Sequence, residues 1–144
     1  MRMYVYLPIL TVVFSNVIYH ICAKSISPKI NAFASLAVTY VIGAALTIAA
    51  YYLTSPTKKL TQELPHLNWA TIVLAVAIVG LEAGNILMYK EGWNISLGPL
   101  VCSILLAVSL VFVGRLLYQE PISRYQVMGI LLCLSGLILL NQKP

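Results

Sequence analysis

Glu82 is the residue of this chain with the clearest chemical potential. It lies within an apolar run, from Trp69 to Tyr89, that has the length of a membrane-spanning helix. An ionised carboxylate in hydrocarbon costs several kcal/mol, so such residues face a protein interior or a wet cavity. Burial also favours the neutral form of a carboxyl group. The sequence therefore predicts that Glu82 either pairs with a cationic side chain or exchanges a proton for a cationic substrate.

Two apolar runs carry polar side chains three, four or seven positions apart, a spacing that places them on one helix face. One interpretation is that asparagine, histidine and tyrosine merely bridge helices by hydrogen bonds, and the sequence favours it for Asn16 and His20. A neutral hydrogen bond would not offset the burial of the Glu82 charge, so its structural alternative is pairing with Lys24 or Lys90. The candidate substrate-binding and coupling residues are Glu82, Asn85, Tyr89, His20, Asn16 and Tyr19.

The composition identifies an integral membrane protein. Of the 144 residues, 60% are hydrophobic and 9% are charged, whereas soluble domains have about 25% charged residues. The net charge of +5 comes from basic residues placed singly or in pairs between apolar runs, so we expect no nucleic-acid partner. The three cysteines lie inside apolar runs, where cysteine acts as a small packing residue. They predict neither a disulfide nor a metal site.

The apolar runs predict an all-α integral membrane fold with five transmembrane helices in a single domain spanning residues 1–144. A span needs about 20 predominantly apolar residues, and the last of the five is the shortest. The short connections between runs make consecutive helices antiparallel neighbours. The predicted spans cover residues 4–23, 32–53, 69–89, 97–117 and 125–140.

The basic residues give almost no preference for one membrane orientation. Orientation follows the lysines and arginines of short loops, and five lie on the side of the N-terminus against four on the other. Acidic residues leave a net charge of +3 on each side. Two interpretations remain: the chain inserts in both directions, or one well-placed pair such as Lys58 and Lys59 fixes a single orientation.

The last two spans contain residues suited to helix packing. Pro99 opens the fourth span, where proline is compatible with the first helical turn. Gly129, Cys133 and Gly136 lie four and seven positions apart in the fifth span and predict a packing or dimer face, because small residues let membrane helices approach closely. The chain has no P-loop, His-Glu-x-x-His or Gly-x-Ser-x-Gly pattern. We therefore expect no enzymatic activity, cofactor or metal.

About 45 residues near the C-terminus resemble the last two helices of a repeat in the drug/metabolite transporter superfamily (EamA-like). The matching features are a proline at the head of the penultimate helix, a loop glutamate, and a glutamine three residues before the first of two spaced glycines. In this sequence these residues are Pro99, Glu120, Gln126, Gly129 and Gly136. The resemblance implies a gating or structural role for Glu120.

The resemblance also implies an assembly. Members of the superfamily typically have ten helices arranged as two inverted halves, and five spans make one half, so we expect a homodimer, most simply antiparallel. Substrate in inverted-repeat transporters binds at the repeat interface near the midplane. The small multidrug-resistance branch has its essential glutamate in the first helix. This chain has none there, so that mechanism does not transfer to Glu82.

The sequence thus predicts a multi-pass transporter of the cell (inner) membrane, in contact with lipid and coupled to protons. Its substrate would be a small organic cation, amine or amphipathic metabolite. Two other classes remain open: a subunit of a lipid-linked sugar flippase, and a non-transporting structural membrane protein in which Glu82 only pairs with a lysine.

Overall fold

A computed structural model of the chain describes residues 3–56 and 59–140. Every regular element in these ranges is helical, and the five long helices match the predicted spans to within a few residues at each end. A four-residue helix and a 3-10 turn, Leu64–His66, lie in the loop before the third span, where no helix was predicted. The helices are α1 (Met3–Ser25), α2 (Ala32–Thr54), α3 (Leu60–Glu63), α4 (Trp69–Lys90), α5 (Gly98–Leu117) and α6 (Arg124–Leu140).

Four of these helices are long and apolar enough to cross a membrane: Tyr6–Ser25 in α1, and the whole of α2, α4 and α5. The apolar part of α6 is shorter. The all-helical membrane fold is therefore confirmed, with four spans that satisfy the length criterion and a fifth helix below it.

Capping side chains fix where several helices begin. The side chain of Asn31 accepts a hydrogen bond from the backbone N–H of Phe33 at 2.9 Å, and that of Asn68 accepts one from Ala70 at 3.0 Å. These bonds satisfy N–H groups that have no partner within the helix itself. Helices α2 and α4 thus begin at defined residues.

The start of α6 has a reciprocal cap. The backbone N–H of Ser123 donates to Gln126 Oε1 at 2.8 Å, and the Ser123 hydroxyl accepts from the N–H of Tyr125 at 3.3 Å. This is the capping-box arrangement of a serine followed three positions later by a glutamine. It sets the point at which the chain re-enters a helix.

The chain divides into two compact units, Met1–Gly92 and Trp93–Pro144. In the first unit, α4 packs against both α1 and α2. Alanines on the facing helices allow this close approach, as small residues do between membrane helices. The core cluster consists of Ala32, Leu36, Ala83 and Ile86, with Ile26 and Tyr40 packed against it.

Burial in the first unit is concentrated towards one end of its helices. The buried residues lie in the last turns of α1, the first turns of α2 and the second half of α4, whereas residues 71–80 of α4 are all exposed. At most 11% of the most apolar stretch of any spanning helix is buried. Such apolar surface is suited to lipid or to another membrane-embedded chain.

The second unit is the hairpin of α5 and α6. At the end of α5 the backbone N–H groups of Tyr118 and Glu120 both donate to the carbonyl oxygen of Gly114, at 3.2 and 3.1 Å. Gln119 between them has a φ of 54°, in the left-handed region that few side chains adopt. This turn reverses the chain and places Glu120 beside the last turns of α5.

Candidate functional site

The carboxylate of Glu82 lies where three helices of the first unit meet. The residue is half-buried on α4. Tyr40 of α2 faces it closely enough for side-chain interaction, and the hydroxyl of Tyr19 on α1 lies within electrostatic range of its charge and faces Asn85. The helix packing thus surrounds one carboxylate with two phenol groups and an amide.

The hydroxyl oxygens of Tyr19 and Tyr40 are buried and have no hydrogen-bond partner of ordinary geometry within residues 3–56 and 59–140. Burying an unsatisfied polar group costs free energy, so such groups are uncommon and need an explanation. Both hydroxyls lie near the charge of Glu82. They are therefore available to donate to the carboxylate or to accept a hydrogen bond from a bound donor.

Towards the ends of α1 and α4, aromatic and cationic groups extend the site. The hydroxyl of Tyr89 lies 3.0 Å from Nδ1 of His20, and the His20 ring meets those of Tyr19 and Tyr89 edge-on, with centroids 5.1 and 6.1 Å away. The Nζ atom of Lys24 lies 5.7 Å from the centroid of the Tyr89 ring. Polar groups thus continue along α1 and α4 towards the end of the helices.

The two lysines considered as partners of Glu82 contact other groups. Lys90 Nζ donates to the carbonyl oxygens of Pro28, at 3.4 Å, and Ile30, which joins the end of α4 to the loop between α1 and α2. Lys24 lies over the ring of Tyr89, seven residues beyond Glu82. That separation is about 10 Å along a helix axis.

Five of the six predicted site residues come together in the first unit. Glu82, Asn85, Tyr89, His20 and Tyr19 are all half-buried or buried at the contact of α1 with α4.

Asn16 is different. Its side chain is exposed, and its Nδ2 donates to the backbone oxygen of Val12 on its own helix at 3.1 Å. Its spacing placed it near the face of Tyr19 and His20, but residues 6–18 of α1 are all exposed. The structure therefore does not bring Asn16 into the group around Glu82.

Tyr40 is the site residue that the sequence argument missed. Its phenol group lies well inside α2, whereas tyrosines of membrane helices are enriched at the interfaces. A tyrosine at that depth, on a helix with no charged residue, was the available signal.

The residues assigned to packing or gating lie in the second unit. Pro99 is in the first turn of α5, as expected for a helix start. Gly129 lines an apolar groove of about 360 Å³ between α5 and α6. A Cβ atom added at Gly129 or at Gly136 would meet no atom within 4 Å. The described part of this chain therefore leaves that glycine face open.

Glu120 folds back over the end of α5. Its Oε2 atom lies 2.7 Å from the position that a Cβ atom of Gly114 would occupy. Together with Arg115 and Gln126 it lines a cavity of about 200 Å³. The sequence pattern had identified the glutamate but not the glycine beneath it.

A comparison with protein families agrees with this all-helical membrane architecture. Residues 3–142 match the EamA-like transporter family, which is nearly the whole chain and not only its last two helices. Comparison with curated proteins and with solved structures gave no match. Apolar helices of spanning length and a family match of this extent identify a multi-pass membrane protein. The chain belongs to the EamA-like transporter family, whose members are membrane transporters of the drug/metabolite type.

Proposed function

We propose that the chain is a secondary transporter of a small organic cation, amine or amphipathic metabolite, and that the substrate binds at Glu82. The observation that carries this proposal is the half-buried carboxylate in the second half of α4, near two buried tyrosine hydroxyls that make no hydrogen bond of ordinary geometry among the described residues. A positively charged substrate would offset the charge of the carboxylate and supply donors to the hydroxyls.

The surroundings of the carboxylate suit a cation with apolar substituents. Aromatic rings attract cations over their faces, and the position of Lys24 above the ring of Tyr89 is an internal example. Tyr19, His20 and Tyr89 would contact the apolar part of the substrate, with Asn85 as an additional polar contact. Asn16, exposed on α1, would contribute only if an approaching helix covered it.

We infer proton coupling because one carboxylate can hold either a proton or a cationic substrate. Substrate and proton would compete for Glu82, so each proton bound on one side of the membrane would release one cation there. The pair of His20 and Tyr89 continues the polar path towards the end of the unit. Glu120 and Pro99 would act at the α5–α6 hairpin, in gating or in structure.

Assembly is the second part of the proposal. A substrate site at the interface of inverted repeats requires two five-helix units, and this chain supplies one, with α6 as its fifth and shortest span. The exposed apolar surface and the open face of Gly129 and Gly136 support contact with a second copy. We propose an antiparallel homodimer in the cell (inner) membrane.

The test is transport by the purified protein in liposomes, with a panel of organic cations, amines and neutral amphipaths measured at two pH values. Uptake of a cation that changes with the pH gradient supports the proposal. Activity that appears only with another subunit and a lipid-linked sugar indicates a flippase component. A dimer that binds and transports none of the panel indicates a structural role.

A further inference from the structure

The side chain of Glu120 lies against Gly114 in the α5–α6 hairpin, outside the proposed substrate site. The Glu120 carboxylate oxygen Oε2 lies 2.7 Å from the ideal Cβ position of Gly114, closer than any real Cβ atom approaches an oxygen. Gly114 itself is buried. No other side chain could occupy position 114 while the carboxylate stays where it is.

The backbone brings the two residues together independently of the side-chain contact. The N–H of Glu120 donates to the carbonyl oxygen of Gly114 at 3.1 Å, and the positive φ of Gln119 turns the chain back over the helix. Two separate features, a hydrogen-bonded turn and a missing Cβ, therefore place one carboxylate on the surface of α5. Arg115 and Gln126 line the cavity beside it.

We propose that Gly114 is a positioning residue for Glu120, holding its carboxylate against α5 at the wall of the cavity that Arg115 and Gln126 also line. The role of Glu120 in transport depends on this position. In contrast, glycines at 43, 80, 84 and 129 would accept a Cβ atom without any contact within 4 Å.

The contact between Glu120 and position 114 allows the position of the carboxylate to change without a loss of fold stability. The atom that a new methyl group would meet is the tip of a flexible side chain, so the carboxylate can swing away while the helix stays intact. Alanine is also a better helix former than glycine. Gly114→Ala should therefore fold at least as well as the parent and yet lose the placement of Glu120.

The position of the carboxylate can be measured directly by labelling carboxyl groups with a water-soluble carbodiimide and an amine, followed by peptide mass spectrometry. Exposed Glu63 and Glu91 in the same chain provide internal references. Glu120 is also exposed, but its Oε2 atom rests against α5 at Gly114. In Gly114→Ala, where that contact is lost, labelling of Glu120 relative to these references should rise. Gly80→Ala, a change in open space, should leave the ratio unchanged.

Transport then tests the consequence. Gly114→Ala should lower the maximal rate as much as Glu120→Ala does, and the double variant should be no slower than either. Adding Glu120→Asp to Gly114→Ala shortens the side chain by one methylene and should recover part of the rate. An unchanged labelling ratio overturns the proposal whatever the substrate proves to be. Additive losses in the double variant also overturn it.

Discussion

Each unit of the chain contains a glutamate of interest, and the two are held in place by different means. Glu82 lies in the second half of α4 among tyrosines from two other helices, whereas Glu120 lies after the end of α5 and rests on its own hairpin. The first carboxylate is surrounded by hydroxyl, amide and ring groups contributed by tertiary packing. The second is placed by local backbone geometry, through one hydrogen bond and one glycine.

This difference predicts different sensitivities. A group held by helix packing can bind a ligand between helices, and its chemistry can be altered without changing the fold. The position of a group held by a turn, such as Glu120, depends on the geometry of that turn. Small changes in side-chain shape there should therefore affect transport more than a change in charge.

The largest effect should come from Glu82→Gln. This change keeps the shape and hydrogen-bonding capacity of the side chain but removes its charge and its titration. It should leave folding and assembly intact, abolish transport driven by a pH gradient, and make substrate affinity independent of pH. The measurements are liposome flux and equilibrium binding, each made over a series of pH values.

Glu91→Gln is the matched control, because Glu91 is exposed at the end of α4. It should transport like the parent. Equal pH-driven transport by Glu82→Gln and the parent would show that proton coupling resides elsewhere, and the contrast between the two glutamates would then lose its functional meaning.

The next largest effect should be seen when membrane orientation is measured and then altered. Basic residues divide five to four between the two sides, and few charges decide the orientation of short-looped proteins. A single cysteine in the loop of Lys58 and Lys59, in a chain lacking the three native cysteines, should react with an impermeant thiol reagent in about half of the molecules. Lys58 lies outside the described residues, so the prediction rests on sequence.

Two added lysines in the loop after Lys90 should move the labelled fraction towards one extreme and reduce transport, because one orientation would lose its partner. Complete or absent labelling of the starting protein would exclude an antiparallel dimer. A parallel assembly or a separate partner subunit would then be required.

The sequence predicted the helices well because each apolar run is long and is bounded by prolines, charges or an asparagine cap. It also predicted that polar residues of the first and third spans share an interior, since 3.6-residue periodicity is a local property. It could not predict Gly114, because the importance of that residue depends on how one turn bends. Tyr40 carried a partial signal in its depth within an uncharged helix, but its place near Glu82 depends on which helix lies opposite.

Replacing the glycines on the open face of α6 should have a moderate effect on dimer formation. Gly129→Leu adds bulk where the described chain has no neighbour within 4 Å, so it should disturb contact with a second copy while leaving the hairpin folded. Gly136→Leu should act in the same way. Both the cross-linking yield and the detergent-resistant dimer should fall.

Ser135→Leu is a matched change of size on another face of α6, about 120° from the ridge by helical periodicity, and should leave the dimer unaffected. If Gly129→Leu retains both the dimer and the melting temperature, that face contacts lipid. The dimer interface must then lie on other helices.

The smallest effect should come from Tyr40→Phe, which keeps the ring packed against the core and removes only the hydroxyl. Because this hydroxyl lies near Glu82 but makes no hydrogen bond of ordinary geometry among the described residues, its loss should change thermal stability little. If it contacts bound substrate, the dissociation constant should rise about three- to tenfold, the value of one hydrogen bond of about 1 kcal/mol.

Tyr51→Phe provides the control within the same helix. The hydroxyl of Tyr51 is also buried without a partner in the described chain, but it lies eleven residues, or about 16 Å, further along α2. The two variants should therefore change the melting temperature alike, and only Tyr40→Phe should weaken binding. If both variants bind substrate as tightly as the parent, Tyr40 is not part of the site. The hydroxyl near Glu82 would then behave like one that lies three turns away. Weaker binding by both would indicate that the substrate extends along α2 beyond the carboxylate.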